Sequence, residues 1–204
     1  MKRILPNLLT GLRLVLSIGM FIALALIAAS VQHGQVTPAI VWMSRFAFAA
    51  FVVAAVTDFF DGWLARRWQV VSTAGAILDP IADKILVCGA ILGLAGIQAP
   101  GVLLWGGLIL FREFAVSALR EVLAPRGIKL PVTFLAKTKT TLQLLALGGL
   151  MFMEFWPAWG IDATITPLMK AMQAFEILLI VATLVTVWTG IEYARAAYKA
   201  LKAA

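Results

Sequence analysis

Charge is scarce in this sequence. Only 13% of its 204 residues are Asp, Glu, Lys or Arg, against about 25% in globular domains. The chain cannot cover a water-facing surface with polar groups, which excludes an ordinary soluble domain. Its one cysteine, Cys88, excludes an intramolecular disulfide framework. Its one histidine, His33, falls in a loop and reads as solvated, so no His or Cys cluster is available for a soft metal. Basic residues outnumber acidic ones 17 to 10, for a net charge of +7, but they are sparse and set among apolar runs. That pattern argues against nucleic acid as the partner and for a membrane protein with a basic cytoplasmic face. Disorder is excluded as well, because 62% of the residues are hydrophobic and the mean hydropathy is +0.97. What is left is a small polytopic membrane protein in which the placement of ten acids becomes the main question.

A helix needs about 20 mostly apolar residues to cross the hydrocarbon core. Six stretches meet that length closely enough: 8–29, 39–57, 75–97, 102–119, 140–155 and 168–189. Between them lie the breakers His33-Gly34 with Pro38, Pro100-Gly101, Pro125 to Pro131, and Pro157 to Pro167. The reading is an all-α membrane protein with six transmembrane helices, forming a single domain over 1–204. The first apolar stretch is too long for a cleavable signal peptide. The loops 31–38, 98–101 and 156–167 hold no Lys or Arg, whereas Lys2, Arg3, Arg66, Arg67, Arg126, Lys129 and Lys199 fall on the other side. By the positive-inside rule, both termini face the cytoplasm and the chain lies in the cell (inner) membrane. The first ten residues mix cations with Ile and Leu, and Pro6 stands at a first helical turn. Both a short interfacial helix and a plain cationic flank fit them. The seven Trp and twelve Phe read as lipid-facing or interfacial anchors.

Four of the ten acids fall in one stretch. Asp58 and Asp61 are three apart, and Asp79 and Asp83 are four apart, so each pair occupies one helix face. The first pair ends the second span and the second pair begins the third, on the same cytoplasmic side. A short connection makes those helices antiparallel neighbours, and all four carboxylates then converge at one depth. Four like charges there repel and are costly to desolvate. Hard divalent cations such as Mg²⁺ or Mn²⁺, which take oxygen ligands, remove both costs. A blander reading pairs the acids with Arg66, Arg67 and Lys84, but that absorbs one or two charges rather than four. Gly62, Ala65 and Gly75 add little bulk beside the acids, which suits close helix packing and a nearby nucleotide alike. Pro80 directly follows Asp79 and is placed to kink the third span and re-aim that carboxylate.

The spacing D-x2-D-G-x2-A-R-x8-G-x3-D-x3-D is met in full by Asp58, Asp61, Gly62, Ala65, Arg66, Gly75, Asp79 and Asp83. On these eight positions the chain resembles the CDP-alcohol phosphotransferase family. The resemblance implies six membrane helices, a homodimer and a cytoplasm-facing polar cavity with two Mg²⁺ or Mn²⁺ ions. It makes Asp58, Asp61 and Asp79 metal ligands, and Asp83 the catalytic base with a metal contact. It makes Gly62, Ala65, Arg66 and Gly75 the CDP-binding set, to which the N-terminal segment adds Asn7 and Thr10.

Other cations bear on the second substrate. Arg112 and Arg120 lie eight apart on an otherwise apolar span, and so on nearly the same face. Lys137 and Lys139 open the fifth span, and Arg195 closes the sixth on the same side. These five form a candidate site for an acceptor phosphate, bidentate at Arg and point-charged at Lys. The alternative is that Lys137, Lys139 and Arg195 are flanking residues that snorkel to headgroups. Residues 6–13, the Arg-Glu…Leu-Arg-Glu run of 112–121 and the Lys-Thr-Lys-Thr-Thr-Leu-Gln of 137–143 resemble one branch of the family. That branch takes CDP-diacylglycerol as donor and glycerol 3-phosphate as acceptor. The chain departs from its pattern at Ala136, where glycine is expected. Inositol phosphate, serine or phosphatidylglycerol as acceptor stay open, and an ion-coupled transporter is the competing class. Glu176, inside the sixth span, has no assigned role; pairing with Lys170 and lining a cavity both fit it.

Overall fold

A computed structural model describes residues 4–34, 37–68, 73–126, 134–160 and 164–203, with side chains from residue 7 onward except 59–77, 126–137 and 203. Among the described residues, six long helices follow the six apolar stretches: α1 (Ile4–Gln32), α2 (Pro38–Trp68), α3 (Thr73–Gly96), α4 (Gly107–Leu123), α5 (Phe134–Glu154) and α6 (Ile165–Ala203). A π-helical turn, Val102–Gly106, leads directly into α4, and short 3-10 turns cover Ala124–Arg126 and Trp156–Trp159. No strand occurs among the described residues. Helices are what long Leu-, Ala- and Ile-rich runs must form in lipid, where each backbone polar group needs a partner within its own segment.

Among the described residues, 7–32, 38–58, 102–123 and 165–202 are long and apolar enough to cross a membrane. The described part of α3 carries Asp79, Asp83 and Lys84 near its start, and that of α5 is short. The helices also outrun the apolar stretches. α2 continues ten residues past the acids' first member, Asp58, and α6 runs on to Ala203, because a charge ends a hydropathy run without ending a helix. Residues 4–32 form one helix, so the described part of the N-terminal segment runs without a break into the first apolar stretch. α3 is continuous through Pro80.

The surface differs from that of a soluble protein, and the interior holds charge. Leu103 and Phe111 are 80% and 75% exposed, whereas the Arg13 side chain is wholly buried. Apolar side chains turned outward are what a lipid solvent favours. Inside, α1 packs on α2 and α3, while α6 packs on α4 and α5. Small residues let the backbones approach. A Cβ on Gly93 would stand 2.4 Å from Leu24 Cδ1, and one on Gly149 would stand 2.1 Å from Phe175 Cδ1. Met20, Leu24, Leu86, Ala90, Leu147 and Leu150 fill the shared core.

Candidate active site: an acidic cluster and a cationic cavity

The up-and-down course brings the start of α1, the end of α2 and the start of α3 to one end of the molecule. Three of the motif acids are described there, and all three bond to α1. Thr10 Oγ1 donates to Asp79 Oδ1 at 2.6 Å. Arg13 Nη1 lies 2.8 Å from Asp58 Oδ1 and 2.7 Å from Asp83 Oδ1. Thr10 and Arg13 are three residues apart, which puts both on the face of α1 that meets the acids. A single cationic nitrogen therefore bridges carboxylates from two helices. The two acids that meet Arg13 there offset the cost of burying it.

In the sequence, Arg13 enters only as the end of the 6–13 pattern and carries no site role. Its signal was present all the same: a lone arginine inside an apolar span is a functional candidate by default. Among the described residues no ion pair joins Lys84 to the acids; Lys84 Nζ donates to Ser117 Oγ at 2.5 Å. The side chains of Asp61, Gly62, Ala65, Arg66, Arg67 and Gly75 lie outside the described residues, although α2 and α3 carry their backbone. Among the described residues no three acids converge on one point. The donor set that is described is all oxygen, and Asp58 and Asp83 already share one cation, so the residues fit hard divalent ions. Asn7 precedes Thr10 by three residues on the same helix.

Asp83 also lines a cavity of about 260 Å³ that opens beside the acids, walled by α3, α4, α5 and α6. Lys84, Arg112, Arg120 and Lys139 all line it. Arg112 and Lys139 are buried, and both bond to one carboxylate, Glu113: Arg112 Nη1 at 3.1 Å, and Lys139 through its Nζ. Glu113, the acid of the Arg-Glu pair at 112–113, is thus the shared partner of two buried cations. Arg112 Nη2 also donates to Thr189 Oγ1 at 3.0 Å, and Arg120 Nη2 to the Tyr193 hydroxyl at 2.9 Å. The buried Arg112 Nε has no hydrogen-bond partner among the described residues. Four cations against the two carboxylates of Asp83 and Glu113 leave the cavity with an excess of positive charge that an anion would neutralise.

Of the five cations expected at an acceptor site, Arg112, Arg120 and Lys139 are brought together here. Arg195 is exposed on α6, outside the cavity lining, and the side chain of Lys137 lies outside the described residues. Glu176 lies at the opposite end, half-buried against the turn before α4, where a Cβ on Gly101 would meet its Oε1 at 3.1 Å.

Comparison with known proteins bears on this geometry. The sequence pattern of the CDP-alcohol phosphatidyltransferase family matches residues 3–190. Several relatives bear the name CDP-diacylglycerol–glycerol-3-phosphate 3-phosphatidyltransferase. One from Cereibacter sphaeroides is 44% identical over 146 residues, covering 71% of this chain and 61% of its own length. One from Rickettsia bellii is 42% identical over 150 residues, covering 73% and 77%. One from Escherichia coli is 37% identical over 161 residues, covering 78% and 81%.

Proposed function

The chain belongs to the CDP-alcohol phosphatidyltransferase family, and from that premise we propose that it transfers the phosphatidyl group of CDP-diacylglycerol to glycerol 3-phosphate, releasing CMP. The observation that carries the reading is the double position of Asp83, which belongs to the acidic cluster and to the wall of the cationic cavity. A base placed there reaches an acceptor held by its phosphate on one side and a donor diphosphate on the other.

Asp58, Asp61, Asp79 and Asp83 would hold two Mg²⁺ or Mn²⁺ ions, which when bound supply positive charge for the donor diphosphate. Thr10 and Arg13 fix three of these carboxylates from α1. Arg112, Arg120 and Lys139 hold the acceptor phosphate, and Asp83 takes the proton from the acceptor hydroxyl as its oxygen bonds to the phosphorus that carries diacylglycerol. The bond from that phosphorus to the CMP phosphate breaks, and CMP leaves with the electron pair. Positioning supplies most of the rate in such a transfer. Gly62, Ala65, Arg66 and Gly75, with Asn7 and Thr10, take the CDP moiety by family resemblance. Lys137 and Arg195 would add charge at the rim. The same resemblance supports a homodimer, with the site and both termini on the cytoplasmic side.

The test is CMP release by the purified chain from CDP-diacylglycerol in detergent, with glycerol 3-phosphate, inositol phosphate, serine and phosphatidylglycerol run in parallel. Release with glycerol 3-phosphate, lost on chelation and restored by Mg²⁺ or Mn²⁺, supports the reading. Release with another acceptor alone overturns the substrate assignment, and no release with any overturns the transferase reading in favour of a transporter.

A further inference from the structure

The cavity's fourth wall is α6, which lends it no cation: its contribution is a surface for two arginines. Thr189, Gly190 and Tyr193 are four and three residues apart, so they share one face of the helix. Each meets an arginine of α4 differently. Thr189 Oγ1 accepts Arg112 Nη2 at 3.0 Å. Gly190 leaves the space that Arg112 fills, because a Cβ there would stand 2.7 Å from Arg112 Cγ and 3.3 Å from its Nε. Tyr193 places its ring centre 5.7 Å from Arg112 Cζ and 5.1 Å from Arg120 Cζ, and its hydroxyl accepts Arg120 Nη2 at 2.9 Å. Tyr193 is only 4% exposed, so both contacts are made away from bulk water, where a cation over an aromatic face is held more strongly.

Two guanidiniums side by side repel, and among the described residues Arg120 has no carboxylate partner. One aromatic ring attracts both, and its hydroxyl fixes the second. We infer that the Thr189–Gly190–Tyr193 face of α6 is a seat that holds Arg112 and Arg120 in a fixed arrangement for a phosphate ester, with Tyr193 as its main positioning residue. The inference rests on the reading of the cavity as the acceptor-phosphate site, and it lies beyond that reading. Tyr193 is outside the stretch, 3–190, that the family pattern matches. An arginine held in place before the ligand arrives loses less side-chain freedom on forming a bidentate contact, so the seat raises affinity for phosphate without adding charge.

The experiment compares wild type with Tyr193→Phe, Tyr193→Leu and Gly190→Ala, using the full chain in detergent. For an interaction that acts through binding alone, the KM for glycerol 3-phosphate rises about 5-fold in Tyr193→Phe, about 10-fold in Gly190→Ala and about 30-fold in Tyr193→Leu. kcat and the KM for CDP-diacylglycerol stay within about twofold. The partial recovery by Phe separates ring from hydroxyl, and Tyr198→Phe, at an exposed position on the same helix, matches wild type. A second readout needs no turnover. Cys88, the only cysteine, lines the same cavity, so inorganic phosphate should slow its alkylation by N-ethylmaleimide. The half-protecting phosphate concentration should rise in the same order across the variants. Unchanged KM and protection in Tyr193→Leu, or an equal rise in both substrates' KM, overturns the seat. Phosphate protection in wild type without turnover on glycerol 3-phosphate overturns the acceptor assignment alone, and the protection series then decides the seat. No protection in wild type overturns the inference.

Discussion

Replacing Arg13 with methionine should leave Asp58 and Asp83 facing each other without their shared cation. Removing one member of a buried ion pair costs about 3–5 kcal/mol, because a charge is left uncompensated. Here the cation is wholly buried while the two carboxylates remain 35% and 46% exposed. Water screens them once the guanidinium is gone, so the expected loss is lower, about 2 kcal/mol. The measurement is reversible unfolding in detergent followed by tryptophan emission, with a chelator present. Arg13→Met, Asp58→Asn and the double variant complete a cycle. The double variant should be more stable than the sum of the singles implies, by about 1 kcal/mol, because neutralising Asp58 relieves the repulsion that loss of the guanidinium creates. Excess Mg²⁺ should then stabilise Arg13→Met more than wild type, because a cation between the carboxylates supplies what the guanidinium supplied. Strict additivity, together with equal Mg²⁺ stabilisation of both proteins, would refute the idea that Arg13 is the counter-ion of the acidic cluster.

Three other outcomes follow from the same geometry. Asp83→Asn should abolish CMP release while CDP and metal binding persist, as read by equilibrium dialysis; full turnover removes the base assignment. Lys139→Met should raise the KM for glycerol 3-phosphate about tenfold or more, the scale of one lost charged contact, with the KM for CDP-diacylglycerol unchanged in the same CMP assay. Gly149→Ala should destabilise the α5–α6 contact by about 1–3 kcal/mol, since its Cβ would fall 2.1 Å from Phe175 Cδ1. A melting temperature equal to that of wild type would contradict the packing described there.

The six helices were legible because apolar runs of that length have few alternatives in lipid, and Pro and Gly marked their ends. The meeting of Asp58, Asp79 and Asp83 at one end of the molecule was legible from the short connection between the helices that carry them. Arg112 and Lys139 could be placed together because a cation within an apolar run has to find a polar interior. Arg13 was not legible as the centre of the acids, although it is just as conspicuous within its own span. Nothing local says which of several helices a buried arginine will face, and the acids it meets are 45 and more residues away. The same holds for Tyr193 on Arg120, a contact between residues 73 apart. Arg195 lies two residues past Tyr193, and the turn of α6 that presents Tyr193 to the cavity leaves Arg195 exposed outside its lining.

The helices divide by packing into α1–α2–α3 and α4–α5–α6, and the two charge groups follow that division. The acids are held within the first half, while Arg112, Arg120 and Lys139 belong to the second, with α3 contributing to both walls. A chain in which only the first half has assembled carries the acidic cluster but has no pocket for a phosphate. Contact of the second half with α3 is what brings the cationic pocket to Asp83, so the two charge groups would meet only in the fully packed chain.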